Sequence, residues 1–428
     1  MKKIVVAGAG HGGLVAAIHL AKAGYDVTLY EKSARADKGY DWLDTVQRAT
    51  FARADLGETP EGLLKPFYNM RYFAPNMETS IAGSGANPGL AFLERRELYA
   101  HLFKLAEEAG VKLCFNTPVA EALGEDAAVY GVRLENGEEV KADLVIDAAG
   151  VDSPVRRTLP GGCWIQKDIP AEDRIYIYRA YFNKTDPALT DPPYNVYFYH
   201  CGKPGMDWMI TEETQADILI GGFGGLTEEN IAESLADFRA RYPYVGETVE
   251  RGGGGIVSIP LRKTLPLLVA DGYAVIGDAA CMTEPLSGSG ITLSMTAGNY
   301  LAQTVIEAGG KTDAATLWKY QFMYFKGCGN GYIMTDIARR ILGSIDTNDV
   351  DALMLKNILT MKEIEGSSDY TPKDIFQKVT GVLSMPHILP ALANAGTKIA
   401  RIKSVCDAMP RVFDRDAVAA WIVQYESL

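Results

Sequence analysis

The opening thirty residues constrain the fold more than any other stretch of the chain. A short apolar run at 4–6 leads into a glycine-rich turn at 8–13, then into a helical pattern over 14–23 and a second apolar run over 25–30. Strand, glycine turn, helix and strand in this order are typical of a parallel α/β unit that holds a dinucleotide at the N-terminus of its helix. A glycine-rich turn without a ligand is the alternative, and the acid that ends the second strand, Glu31, argues against it.

Each conspicuous residue of this unit has a chemical task. Gly8 permits the tight turn, Gly10 lets the backbone approach a pyrophosphate, and Gly13 lets the helix pack closely on the strand. Glu31 can accept hydrogen bonds from a ribose, and an acid there disfavours a 2′-phosphate, so the candidates are FAD and NAD rather than NADP. We expect His11 to offer only its backbone N–H. The predicted cofactor-binding residues here are Gly8, Ala9, Gly10, His11, Gly12, Gly13, Glu31 and Lys32.

Charge and cysteine content exclude several classes of protein. The net charge is −12, and no long cluster of Lys and Arg offers a nucleic-acid surface. The six cysteines lack C-x-x-C spacing, which argues against a zinc site and a disulfide framework and fits a reducing cytosol. No stretch has the ~18 uninterrupted apolar residues of a spanning helix. We therefore expect a cytoplasmic protein that binds neither metal nor nucleic acid.

A second stretch, 273–291, also carries the pattern of a nucleotide site. A strand ends at Gly277-Asp278, and a glycine-rich loop then starts a helix that runs to about residue 308. Asp278 can hold the hydroxyls of a ribityl chain. The backbone N–H groups at 288–291 and the helix dipole can stabilise the flavin edge that becomes negative on reduction. Two such loops about 270 residues apart suit one ligand long enough to touch both.

Two features lie between these stretches. The apolar run at 143–147 predicts a buried strand that belongs beside the first strand in a parallel sheet. Arg95 opens a helix, where the dipole does not favour a cation, so either a ligand phosphate or a structural carboxylate is expected to hold it. The residues alone leave both partners open.

The order of these pieces resembles that of flavoproteins with the para-hydroxybenzoate-hydroxylase fold. Their three fingerprints correspond here to 8–13 with Glu31, to the D-G motif at 147–156, and to Gly277-Asp278. One departure is Ala149, which replaces the Asp of the D-G motif. The resemblance implies FAD as cofactor, contacts to it from Arg95 and Val119, and an isoalloxazine beside Pro285, Gly288, Ser289, Gly290 and Ile291.

Within that superfamily the chain is most similar to the geranylgeranyl reductase family. The similarity lies in P-L-R-K at 260–263, P-L-S-G-S-G-I at 285–291 and a helical stretch over 317–342. It implies an FAD-dependent reductase of carbon–carbon double bonds in a small hydrophobic substrate, with isoprenoids among the options. The family's aromatic substrate motif maps onto 206–211, where only Trp208 survives as the predicted substrate contact. Cys281 stands where Gly is usual, and it is either the proton donor or a small buried filler.

The pattern and the resemblance together predict an α/β chain, α+β overall, with a Rossmann-like FAD-binding domain, an inserted antiparallel-sheet substrate domain and a C-terminal helical region. The predicted segments are 1–156 for the first part of the FAD-binding domain, with 40–90 as an excursion toward the substrate domain, 157–258 for the substrate domain, 259–310 for the second FAD-binding part and 311–428 for helices that cover the substrate cavity. Turns are expected at 366–368, 386 and 390.

Several functional alternatives stay open. The same scaffold supports a flavin monooxygenase, a non-redox isomerase or cyclase that uses reduced flavin, and a flavin-binding protein without catalysis. Because no second Rossmann unit is evident for NAD(P)H, this reductant would dock transiently, or a protein electron carrier would replace it. The pattern over 388–405 fits a packed surface helix, which we favour, or a helix that touches a membrane.

Overall fold

The computed structural model describes residues 2–83, 87–187, 190, 193–364 and 372–428. The strands are β1 Lys3–Ala7, β2 Asp26–Tyr30, β3 Leu43–Gln47, β4 Lys65–Pro66, β5 Met70–Phe73, β6 Ser80–Ala82, β7 Leu90–Glu94, β8 Lys112–Cys114, β9 Val119–Glu125, β10 Ala128–Leu134, β11 Glu139–Lys141, β12 Leu144–Asp147, β13 Arg174–Lys184, β14 Tyr194–Phe198, β15 Gly205–Thr211, β16 Gln215–Phe223, β17 Val245–Gly252, β18 Val257–Pro260, β19 Val269–Ala270 and β20 Tyr273–Val275.

The helices are α1 His11–Lys22, α2 Thr50–Arg53, α3 Arg95–Glu108, α4 Pro154–Arg157, α5 Glu228–Arg241, α6 Ile291–Glu307, α7 Ala314–Gly327, α8 Tyr332–Leu342, α9 Thr347–Leu355, α10 Met361–Ile364, α11 Pro372–Leu383, α12 Leu389–Asp407 and α13 Arg415–Glu426. Short 3₁₀ segments lie at Arg35–Asp37, Gly161–Cys163, Ala171–Asp173, His200–Gly202, Gly277–Ala280, Gly329–Gly331 and Pro386–Ile388.

A six-stranded sheet in the order β19-β20-β12-β1-β2-β8 carries the glycine turn. β1 lies between β12 and β2 and runs parallel to both, so Val5 is opposite Val145 on one side and Thr28 on the other. The side chains of β1 from Ile4 onward are buried, which explains why this strand is a continuous apolar run. Parallel strands end at the same edge, and the segments that follow β1, β12 and β2 therefore meet there.

The local elements predicted around this sheet are confirmed. α1 begins at His11 rather than at residue 14, since the glycine turn already supplies its first turn. The strand predicted at 143–147 is β12, which pairs with β1 as expected. The helix expected to run to about residue 308 is α6, and its first residue directly follows the glycine-rich loop.

A second, larger sheet has the order β17-β13-β16-β15-β14-β5-β6, with β18 also paired to β13. Its pairs are antiparallel except one, where β5 runs parallel to β14 and places Met70 opposite Tyr194. Strands from two distant parts of the chain thus share this sheet. The predicted fold class, a mixed α/β protein with a Rossmann-like FAD-binding domain, is confirmed.

The C-terminal helices pack on α7 and on the loop before β19 through a buried aromatic cluster. Trp318 of α7 and Trp421 of α13 meet edge to face, and the hydroxyl of Tyr425 donates to the Thr264 carbonyl. In α12 the buried side chains are Ala395, Val405 and Cys406. Among the helices described, none is long and apolar enough to cross a membrane. The turn expected at 366–368 falls outside the described residues.

Candidate active site

A cavity of about 890 Å³ lies between the carboxyl edge of the six-stranded sheet and the larger sheet. Its volume is within the usual range for a site that encloses a large ligand. The predicted site residues that line it are Gly8, Gly10, His11, Glu31, Lys32, Arg95, Val119, Trp208, Gly277, Asp278, Gly288, Gly290 and Ile291. The structure therefore brings most of the predicted set, drawn from separate stretches of sequence, around one space.

The remaining predicted residues stand behind this lining. The Ala9 N–H donates to the Glu31 carboxylate, and the Gly12 N–H donates to the Ser294 hydroxyl at 3.0 Å. Pro285 is buried within its loop, and Ser289 lines a neighbouring cavity. These residues support the surface around the cavity.

Close approach to the segment after β12 explains the glycines of the turn. Gly8 has a φ of +88°, and a Cβ there would lie 2.6 Å from the Ala148 carbonyl oxygen. A Cβ on Gly10 would lie 2.8 Å from the same oxygen, so Gly10 has a packing role beside the pyrophosphate approach predicted for it. On Gly13 a Cβ would lie 2.6 Å from that of Ala148 and 3.0 Å from Val6 Cγ1, which fits tight packing of α1 on the sheet.

Glu31 is almost fully buried and is held by three donors. Its carboxylate accepts from the Ala9 N–H at 2.7 Å, the Ser33 N–H at 3.0 Å and the Lys38 ammonium at 2.9 Å. Burial opposes ionisation, but Lys38 and the two N–H groups outweigh it and hold the pKa of Glu31 below its usual value. Since a carboxylate offers about four acceptor positions, one stays available for a ribose hydroxyl.

The His11 side chain has a larger part in the cavity than predicted. Its ring stacks on Tyr99 with centroids 4.5 Å apart, and its Nε2 is buried without a hydrogen-bond partner in the part of the chain that the structure describes. Burial, assisted by the nearby positive charges of Arg95 and Lys38, lowers the pKa of His11 well below its ordinary value, so the imidazole is neutral. A buried nitrogen that lacks a partner in the protein is the kind of group that a ligand satisfies.

At the other end of the cavity, Asp278 has one described hydrogen bond, which its Oδ1 accepts from the Thr283 hydroxyl at 3.0 Å. Burial raises the pKa of Asp278, although Thr283 and the charge of Arg95 oppose the shift. Its remaining acceptor positions can therefore serve hydroxyl groups of a ligand.

Arg95 has the carboxylate partner that was one of the two options. Its Nη2 donates to Asp44 Oδ1 at 2.7 Å, and its guanidinium lies 5.1 Å from the centre of the Trp42 ring. The ion pair and the ring hold Arg95 in place at the cavity wall. A ligand phosphate is therefore not needed to explain its position at the start of α3.

A second cavity of about 670 Å³ adjoins the first, and Met206, Trp208, Leu286 and Ser287 line both. Its wall is mostly apolar, and α8, α9, α10 and α12 contribute to it, including Ile341, Leu353, Ile364 and Leu392. The C-terminal helices thus cover this space. The indole Nε1 of Trp208 is buried and has no hydrogen-bond partner in the described ranges.

Cys281 does not line either cavity. It is fully buried, and burial raises the pKa of its thiol to about 12, so it is a poor proton donor at neutral pH. Its φ of +57° lies in the left-handed region, which explains why glycine is the easier residue at this position. The structure favours the interpretation of Cys281 as a buried filler over that of a proton donor.

Sequence reasoning missed Lys38, Tyr99 and Asp44. A signal existed for Tyr99, because it lies four residues after Arg95 on the same face of α3. Lys38 lies in an irregular segment and Asp44 on a short strand. No periodic pattern in the sequence predicts where either residue lies in the fold.

Comparison with known proteins identifies the class. A model of the FAD dependent oxidoreductase family matches residues 33–304, and one of NAD(P)-binding Rossmann-like domains matches residues 6–36. The first match spans well over half of the chain, so this protein belongs to the FAD dependent oxidoreductase family. FAD is its cofactor. The glycine cradle, the free Nε2 of His11 and the open acceptor positions of Asp278 fit that ligand.

The relatives narrow the class further. The chain is 25% identical to digeranylgeranylglycerophospholipid reductase of Sulfolobus acidocaldarius, over 95% of this chain and 93% of the relative. It is 28% identical to digeranylgeranylglycerophospholipid reductase 1 of Methanococcoides burtonii, over 82% of this chain and 86% of the relative. The structure of a geranylgeranyl bacteriochlorophyll reductase-like protein from Thermoplasma acidophilum superposes with a TM-score of 0.72 at 20% identity, covering 92% and 99% of the two chains. The predicted resemblance to geranylgeranyl reductases is confirmed.

Proposed function

We propose that this protein is an FAD-dependent reductase that saturates carbon–carbon double bonds of a hydrophobic isoprenoid substrate. The proposal depends mainly on the second cavity, called the apolar cavity below. It shares the wall formed by Met206, Trp208, Leu286 and Ser287 with the first cavity, called the cofactor cavity below. A substrate in one cavity and a flavin in the other would meet at this wall. The names of the curated relatives, which refer to reduction of a geranylgeranyl lipid, support the same substrate class.

The proposal assigns the predicted residues to the cofactor. The N–H groups at the start of α1 would hold the pyrophosphate, with Glu31 and Lys32 near the adenosine ribose and Asp278 on the ribityl chain. The loop at 288–291 and the N-terminus of α6 would lie beside the isoalloxazine, where their N–H groups favour the charge of a reduced flavin. When bound, FAD supplies hydride chemistry, while these residues bind and orient it.

The lining of the apolar cavity favours an uncharged substrate. Of its lining residues in the described part of the chain, Glu284 alone is charged, and no Lys or Arg is among them. Moving a phosphate into such a space without a cation would be costly, so the enclosed part of the substrate is an uncharged chain. Trp208 lines both cavities and would position that chain against the flavin.

The electron donor is a separate part of the proposal. Either NAD(P)H docks transiently or a protein electron carrier delivers the electrons. Reduction of the purified flavoprotein by NADH, by NADPH or by a reduced ferredoxin-type carrier would distinguish these donors directly.

The test of the function is a single-turnover experiment. The purified holoprotein is reduced under anaerobic conditions, and the flavin absorbance is followed after addition of geranylgeraniol or buffer. Reoxidation by the alkene together with a product heavier by two hydrogen atoms per double bond supports the reductase. No reoxidation by polyprenyl alkenes of several lengths would contradict it.

The same experiment addresses the flavin monooxygenase, which the scaffold also allows. Oxygen is added to the reduced protein in place of the alkene, with and without an aromatic or apolar candidate substrate. A hydroxylated product coupled to oxygen consumption would favour the monooxygenase. Turnover of the substrate without net reductant would favour the isomerase or cyclase.

A further inference from the structure

Proton delivery is the step of a double-bond reduction that the resemblance leaves without a residue. The reaction needs a hydride at one carbon and a proton at the other. Cys281 is excluded by its position behind the cavity lining. The candidate acid must line the apolar cavity close to the wall shared with the cofactor cavity.

Glu284 meets this requirement by geometry. It lines the apolar cavity and lies two residues before Leu286, which belongs to the shared wall. The loop fixes its backbone, since the Glu284 N–H donates to the Ser289 carbonyl at 3.0 Å and its own carbonyl accepts from the Gly288 N–H at 2.9 Å. The side chain is therefore anchored in the segment that separates the two cavities.

The two carboxyl oxygens of Glu284 have different surroundings. Oε2 accepts from the N–H groups of Leu286, at 3.0 Å, and Ser287, at 2.5 Å. Oε1 is buried and has no hydrogen-bond partner among the described residues. A buried polar atom without a partner in the protein is the kind of group that a bound ligand contacts.

Burial raises the pKa of three tyrosines of this lining, which makes each a weaker acid than an ordinary phenol. Burial, together with the charges of Cys328 and Glu284, raises the pKa of the Tyr332 phenol to about 12. Burial also raises the pKa of Tyr194 and of Tyr68. Among the described lining residues, Glu284 is the single carboxylic acid.

From this geometry we propose that Glu284 is the catalytic residue that delivers the proton to the double bond. The inference rests on the proposed reductase function. The π bond of the alkene breaks, one carbon receives a hydride with two electrons from the reduced cofactor, and the other forms a C–H bond with the carboxyl proton. The resulting carboxylate regains a proton from solvent, so the substrate gains two hydrogen atoms and the cofactor loses two electrons.

Two substitutions separate acidity from shape. Glu284→Gln keeps the length and an oxygen for the N–H groups of Leu286 and Ser287, but it has no acidic proton. Glu284→Asp keeps the acid and shortens the side chain. We expect alkene-dependent reoxidation to fall about 100-fold or more in Glu284→Gln and less in Glu284→Asp, within the usual range for loss of a general acid.

The controls are flavin content, the rate of flavin reduction by dithionite, and Glu61→Gln, an exposed charge change of the same kind. Flavin content and the rate of reduction by dithionite should be unchanged in Glu284→Gln. Glu61→Gln should be reoxidised by the alkene at the rate of the unmodified protein. In D₂O the unmodified protein should place up to two deuterons per reduced double bond, because the hydrogen that the reduced flavin transfers also exchanges with solvent. The Glu284→Gln variant should form the same product at the slower rate.

Four results would overturn the assignment. Glu284→Gln within threefold of the unmodified protein would remove the proton-donor role, and so would a larger loss in Glu284→Asp than in Glu284→Gln, which indicates a structural role. A larger loss in Tyr332→Phe would assign the proton to that phenol. If the unmodified protein reduces no alkene, the proposed function fails and the inference fails with it.

Discussion

The contact between α1 and α6 offers a direct test of how the fold shapes the cofactor cavity. Both helices begin at that cavity, and they cross where Gly12 faces Gly298. A Cβ on Gly298 would lie 2.3 Å from the Gly12 carbonyl oxygen and 3.0 Å from the Val15 Cβ. Both partners are themselves held in the helix, so neither can move aside alone. We therefore expect Gly298→Ala to push the two helices apart.

The size of the effect follows from two opposing contributions. Alanine is better than glycine inside a helix by about 1 kcal/mol. Against this, the helices must separate by about 1 Å to bring a 2.3 Å approach to an ordinary contact, and overpacking of a tight interior costs about 1–3 kcal/mol and occasionally more. We expect Gly298→Ala to lower the free energy of unfolding by up to about 2 kcal/mol, the overpacking cost less the helix gain.

Gly396 provides the matched control. It lies inside α12 and is exposed, and a Cβ added to it would have no atom of another residue within 4 Å beyond its own helix backbone and chain neighbours. There the same substitution brings the helix preference without the clash, so Gly396→Ala should raise the free energy of unfolding by about 0.4–1 kcal/mol. The two substitutions are chemically identical, and we expect them to change the free energy of unfolding in opposite directions.

Urea unfolding of both variants, followed by circular dichroism without added FAD, measures these differences. Titration of the apoprotein with FAD then reports on the cavity, because displacement of α1 moves the N–H groups that would face the pyrophosphate. We expect about tenfold weaker FAD binding in Gly298→Ala, equal to ~1.4 kcal/mol, and no change in Gly396→Ala. An increase in stability in both variants would refute the packing argument.

Three further changes test individual side chains of the site. Lys38→Met removes the cation that faces Glu31 and should lower the free energy of unfolding at pH 7 by about 1–3 kcal/mol. Because the folded pKa of Glu31 is depressed, that loss should shrink as the pH falls below about 4, which urea unfolding at several pH values would show. Asp278→Ala should weaken FAD binding in an equilibrium titration while the unfolding midpoint of the apoprotein stays close to that of the unmodified protein, and unchanged affinity would remove its role. Trp208→Phe should change the free energy of unfolding by less than about 1 kcal/mol, since the indole N–H has no described partner to lose. The same variant should be reoxidised by the alkene more slowly, and normal kinetics would contradict the contact of Trp208 with the substrate.

The parts of the fold that the sequence predicts well are those whose signal is local. The run from Ile4 to Tyr30 contains its own strand, turn, helix and strand, and the glycine pattern of its turn is visible in the sequence. The contact that requires these glycines comes from Ala148, which the local pattern does not show. The parallel pairing of β5 with β14 has no such signal. Met70 and Tyr194 are far apart in the sequence, and only packing of both in a common sheet brings them together.

The same distinction holds in the candidate site. Asp278 follows a strand and precedes a glycine-rich loop, so its place at the cavity can be predicted from order alone. The ion pairs Glu31–Lys38 and Arg95–Asp44 cannot, because the positions of Lys38 and Asp44 depend on distant contacts. For Arg95 the residue type left two partners open, and the structure shows one of them, Asp44 on β3.

The altered D-G motif keeps the interactions that hold its loop in place. Asp147 accepts from the Ser153 hydroxyl at 2.5 Å and from the Tyr273 hydroxyl at 2.8 Å. Arg156 donates to the carbonyls of Val151, at 2.6 Å, and Ala279, at 2.5 Å, and so ties the D-G loop to the turn that carries Asp278. None of these bonds uses the side chain at position 149, where alanine replaces the usual acid and lines the cavity. The replacement therefore changes the surface of the cavity and leaves its frame intact, which is why loss of that acid does not argue against FAD.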